Sequence, residues 1–71
     1  MPARTIRITP LERGWEVLVE GDRGGLLFVE LEEAVGTARE WAAQHPEARI
    51  ILFDTSGSPL EEISIEPPRR D

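Results

Sequence analysis

The segment from Glu32 to Gly57 constrains the fold more than any other stretch of this chain. It begins with small apolar residues at helical spacing, Ala34, Ala38 and Ala42, and that pattern stops at Pro46. Proline disfavours helical geometry in the residue before it, so the helix ends at His45. An apolar run follows, Ile50-Ile51-Leu52-Phe53, closed by the turn residues Asp54-Thr55-Ser56-Gly57. This order reads as a helix laid across a sheet that it helps to cover. It carries fold information and no chemistry.

The rest of the chain supplies the sheet. Thr5 to Thr9 alternates with Ile6 and Ile8 on one face, and Trp15 to Glu20 alternates with Trp15, Val17 and Val19 together. Pro10 to Gly14 holds turn residues between them. The expected hairpin sets Ile8 opposite Trp15, Ile6 opposite Val17 and Arg7 opposite Glu16, a favourable cross-strand pair. Gly21 to Gly25 forms the next loop. A Walker-type phosphate loop is excluded there, because it requires a lysine and the chain has none. Leu26 to Glu30 reads as a third strand, Arg49 to Phe53 as a fourth, and Leu60 to Ile65 as a fifth with Ile63 and Ile65 inward. The fourth is apolar on both faces, hence central in its sheet or covered on both sides.

The helix spans about Glu32 to His45, with Leu31, Ala34, Val35, Ala38, Trp41 and Ala42 on one face. No Ser, Thr, Asp or Asn caps its start, although Glu30, Glu32 and Glu33 suit the positive end of the helix dipole. Gly36 costs roughly 1 kcal/mol relative to alanine in a helix interior. It marks either close approach of a neighbour or simple tolerance.

The expected fold is therefore a single α+β domain over residues 1–66, β-β-β-α-β-β, with about five strands in a sheet and one helix packed on one face. Residues 67–71 are expected to form a flexible, proline-bearing tail. A right-handed crossover makes the third and fourth strands parallel if they share a sheet. Strand order stays open; the order 3-2-1-4-5 follows if the fourth strand sits beside the first.

Composition removes several classes of function. With 71 residues the core is thin. Absence of cysteine excludes disulfides and thiolate chemistry, and one histidine, His45, excludes a multi-histidine zinc site. Net charge is -6, from 14 acidic residues against eight arginines, which disfavours nucleic acid and permits a basic protein partner. No signal peptide is visible, and no apolar run approaches the ~20 residues of a membrane span, so a cytoplasmic protein without a membrane partner is expected.

Trp15-x-Val17 with Glu20-Gly21, Glu33-Ala34-Val35-x-x-Ala38-Arg39-x-x-Ala42, and Ile50-x-x-x-Asp54-x-x-Gly57 together resemble a family of small bacterial domains of unknown function. Its members carry W-x-V in an early strand, an E-A-x-x-x-A-R helix and a hydrophobic strand ending in an Asp-Gly turn. Here Thr55 and Ser56 separate Asp54 from Gly57, and Leu31 stands where the family has Thr or Ser at the helix start. The resemblance implies the same fold and carries over no catalytic residues.

Candidate chemistry is sparse. His45, Asp54 and Ser56 are the residue types of a nucleophilic triad, yet no G-x-S-x-G elbow is present. Asp54 and Ser56 suit an ordinary turn, and His45 suits a helix end. Glu32-Glu33 and Glu61-Glu62 are paired carboxylates of the kind found on solvated faces. Arg4, Arg7 and Arg13 near one sheet edge, with Trp15 to stack on a base, are the only nucleic-acid-like set. No catalytic, cofactor or metal residues are assigned, and no cofactor is expected.

One helix about 10 Å across cannot shield a sheet of five strands spaced about 4.8 Å apart. Leu18, Leu26 and Phe28 are assigned to the face away from the helix. Trp15, Leu18, Phe28 and Trp41 are accordingly the candidate contact residues, each being alternatively plain core, the two tryptophans above all. The expected function is a non-enzymatic protein-interaction domain, homodimeric. The alternative is an acidic, antitoxin-like or phage-type inhibitor or regulator of a basic nucleic-acid-handling protein, with Glu12, Glu16, Glu20, Glu30, Glu61, Glu62 and Glu66 as an acidic rim.

Overall fold

The computed structural model describes residues 4–45 and 47–63. Pro46, Ile65, Glu66 and the tail 67–71 lie outside the described residues. The chain runs β1 (Thr5–Leu11), β2 (Gly14–Val19), β3 (Leu26–Phe28), α1 (Leu31–Ala43), β4 (Arg49–Phe53) and β5 (Pro59–Ile63). It is an α+β fold. The five strands form one mixed sheet in the order β3-β2-β1-β4-β5, the arrangement with β4 beside β1. β4 runs parallel to β1, from Thr5 opposite Arg49 to Ile8 opposite Leu52, and the other neighbours are antiparallel.

The first hairpin is tighter than its turn residues suggest. β1 continues through Pro10 and Leu11, leaving only Glu12 and Arg13 between the strands. Ile6 therefore opposes Val19, Ile8 opposes Val17, Arg7 opposes Leu18, and Glu16 opposes Thr9. The register differs by two residues from the expected one, so the Arg7–Glu16 pair does not form. A shift of two preserves the faces, since side chains alternate with period two. Pro10 lies beyond the β4 ladder, where a strand tolerates a missing N–H on that side.

Pairing also corrects the third strand. Phe28 opposes Trp15 and Leu26 opposes Val17, which places Leu26 and Phe28 on the helix face rather than the open one. β3 is held close to β2 by two glycines. Gly14, at φ 154°, has no room for a Cβ because the Phe28 carbonyl oxygen occupies that space. A Cβ on Gly25 would sit 2.7 Å from the Val17 carbonyl oxygen.

α1 covers β1 to β4 and does not reach β5. Its buried residues are Ala34, Ala38 and Ala42, so the helix rests on the sheet through methyl groups and approaches it closely. Beneath them lie Ile6, Ile8 and Ile50, the largest fully buried side chains, with Val17, Val19 and Ala48 completing the core. Trp15, Phe28, Leu31, Val35, Trp41, Leu52 and Ile63 pack around this centre. β4 is flanked by strands on both sides, as its apolar character suggests, but α1 covers only its Ile50 and Leu52 face.

The helix starts at Glu30 without a side-chain cap, and Glu32 and Glu33 occupy its first turn. It ends in a tightened turn, with the Gln44 N–H donating to the Trp41 carbonyl at 3.1 Å. A Cβ on Gly36 would meet nothing within 4 Å, so tolerance, not close approach, describes this residue. Gly36→Ala is expected to stabilise the fold by about 0.5–1 kcal/mol, raising Tm by roughly 2–8 °C. A thermal melt showing no gain would mean that the position is constrained in solution.

Candidate functional site

The two edges of the sheet are chemically opposite. β5 begins with Pro59, carries a bulge where Phe53 pairs with Pro59 and leaves Leu60 unmatched, and presents Glu61 and Glu62. Proline, bulges and charges are the ordinary devices that stop an edge from pairing with another chain. β3 has no proline, bulge or charge, and its one such device is its three-residue length. Leu26, Leu27 and the adjoining Val29 are 58%, 69% and 77% exposed, and no charge interrupts Leu26 to Val29. Edge strands of this kind offer a row of unmatched backbone donors and acceptors together with apolar side chains.

A groove of about 260 Å³ opens beside this edge on the helix face. Val17, Leu26, Thr37 and Trp41 contribute to its lining, and Asp22 is the one charged residue in it. Leu26 belongs to both the groove and the edge, so the two make one apolar surface.

The face away from α1 is managed differently. Leu18, Ile51 and Phe53 are half-buried there, beneath long polar chains. The Arg7 guanidinium lies 4.4 Å from the centroid of the Phe53 ring, a cation–π contact. Arg49 grips Glu62 through two hydrogen bonds, Nε to Oε2 at 3.2 Å and Nη2 to Oε1 at 2.9 Å. The hydrogen bond and charge of Arg49 hold the Glu62 carboxyl below its ordinary value, and Glu62 raises Arg49 in return. Charged chains over apolar strands cover much of what one helix leaves open. Arg7 lies mid-sheet, because β1 is the central strand, and not at an edge.

The four sequence candidates divide between these surfaces. Trp15, Phe28 and Trp41 pack around the core on the helix side, with Trp41 also lining the groove. Leu18 lies on the open face opposite Arg7. Leu27 and Val29, the most exposed large apolar side chains among the described residues, were not among the candidates. Four consecutive apolar residues follow the glycine loop there, a composition that does not separate an exposed edge from a buried strand.

The residues with triad chemistry are not assembled. His45 precedes β4 and Asp54 follows it, at opposite ends of a strand of roughly 16 Å. His45 stacks on Trp41 with ring centroids 3.6 Å apart, and its Nδ1–H donates to the Trp41 carbonyl at 2.8 Å. Asp54 Oδ1 accepts from Ser56 Oγ at 2.8 Å and from the Ser56 and Ser58 backbone N–H groups at 2.9 Å. These bonds lock the β4–β5 turn. Among the described residues, no three His, Asp or Glu side chains gather to hold a metal ion.

The turn has a pH signature. The Ser56 hydroxyl, then the Ser58 N–H, hold the Asp54 carboxyl below the usual aspartate value. A carboxylate lowered by folding adds stability above its unfolded value, about pH 4, and that stability is lost as pH falls through the depressed value. Ser56→Ala is expected to return Asp54 toward ordinary titration, as read from its side-chain carboxyl carbon by NMR. An unchanged titration curve in the variant would contradict the assignment of cause.

No helix among the described residues is long and apolar enough to cross a membrane. No family model, curated protein or solved structure matches this chain.

Proposed function

We propose that this chain is a non-enzymatic protein-interaction domain that works as a homodimer. The observation that supports this reading best is the asymmetry of the sheet: exposed apolar residues concentrate on the β3 edge while the β5 edge is guarded. An exposed apolar edge is a hazard unless something covers it. Absence of cysteine leaves a small domain without disulfide reinforcement, and self-association is a common substitute.

Light scattering across a concentration series tests the proposal. The mass is expected to rise from the 8.0 kDa of one chain toward twice that value. A mass that stays at one chain to millimolar concentration would end it. The second reading, an acidic regulator of a basic nucleic-acid-handling protein, is favoured by the carboxylates around the same strand. Glu16 opposes Leu27, Asp22 shares the groove with Leu26, and Glu30 follows Val29. Salt separates the two readings, since attraction to a basic partner weakens as ions screen it.

A further inference from the structure

Resting on the homodimer reading, we infer that the dimer forms by antiparallel pairing of β3 with β3 of a second copy, joining two sheets into one. Two features of the chain select this occupant. Pairing of β3 with the β5 edge of another copy would build an open-ended filament. Pro59, the Leu60 bulge and Glu61-Glu62 obstruct that contact, so association closes at two. The remaining self-contact is chemically matched. A two-fold axis normal to the sheet sets residues of equal parity opposite one another, so Leu27 meets Leu27 and Leu26 meets Phe28 of the second copy. No like charges are brought face to face within the strand.

Both helices then lie on the same side of the joined sheet. The Leu26–Phe28 pairs extend the apolar surface that begins in the groove beside Trp41. The contact is also small. A three-residue strand falls below the roughly 1,200 Å² of stable complexes, which makes the dimer reversible and concentration-dependent. Each copy carries a charge of -6, so repulsion opposes association and added salt strengthens it. That sign is opposite to the one expected for a basic partner.

The chain's lack of cysteine makes the test direct. Opposed residues in an antiparallel strand pair lie at Cα separations near 4.5–5.5 Å, within disulfide reach. Leu27→Cys in the full chain is expected to give a disulfide-linked dimer under mild oxidation, and Leu60→Cys, on the guarded edge, a largely monomeric protein. Leu27→Glu is expected to weaken association by about tenfold or more, while at concentrations too low for the dimer the thermal melt stays nearly unchanged, because Leu27 is 69% exposed in the single chain. Leu60→Glu should leave association as it was. A dimer that survives Leu27→Glu, cross-links equally through both cysteines, or dissociates on adding salt overturns the β3 pairing and leaves the homodimer reading standing. A chain that never dimerises overturns both.

Discussion

Replacing Ile50 by alanine is expected to cost about 2–5 kcal/mol, measured as a lower urea midpoint at unchanged slope. Ile50 is fully buried, with Ile6 opposite on β1 and Ile63 opposite on β5. Its removal opens a void where the parallel and antiparallel ladders meet, beneath a helix that already rests on alanine methyls. A domain of 71 residues has roughly 4–10 kcal/mol of total stability, so this one substitution is expected to remove a large share of it. Leu60→Ala is the control, with an expected change within about 0.5 kcal/mol for an exposed side chain. Equal losses at the two positions would show that the centre of the sheet is not tightly packed in solution.

Gly14→Ala is expected to be comparably damaging, for a different reason. The backbone at Gly14 has φ 154°, a region that side-chain-bearing residues rarely adopt, which alone costs about 1–3 kcal/mol. The new methyl would also occupy the space of the Phe28 carbonyl oxygen. That obstacle is main chain and cannot rotate away, so β3 must separate from β2 or the hairpin must distort. Amide hydrogen exchange distinguishes this from general loss of stability. Protection should fall first in Leu26 to Phe28, ahead of β1 and β4. Uniform loss across the sheet would indicate that Gly14 matters for the hairpin alone. A variant that keeps full β3 protection would contradict the close approach.

Much of this fold is written in residue spacing. Ala34, Ala38 and Ala42 mark the buried helix stripe, and Arg49 to Phe53 marks a flanked strand, because both patterns follow from periodicity within one element. Relations between elements are less legible. The hairpin register slipped by two because Pro10 is as compatible with a late strand position as with a turn, and only the two-residue connection at Glu12-Arg13 decides. The faces of Leu26 and Phe28 were misplaced because alternation fixes a strand's faces relative to each other, never relative to its neighbour. That second relation depends on how the loop from Gly21 to Gly25 closes. The interaction surface was hardest to see. Leu26-Leu27-Phe28-Val29 has the composition of a buried strand, and its exposure follows from strand order, a property of the whole chain. The expected shortage of cover was sound geometry, yet Arg7 over Phe53 and the Arg49–Glu62 pair relieve it on the open face and leave the sharper exposure at the rim.

The place of β1 between β2 and β4 has a consequence for synthesis. A nascent hairpin can close as soon as Val19 clears the ribosome, but Ile6 and Ile8 gain their second neighbour only when Ile50 and Leu52 arrive. Until then the future centre of the molecule is its stickiest surface. Premature stop codons upstream of Arg49 should therefore yield aggregates and proteolytic debris.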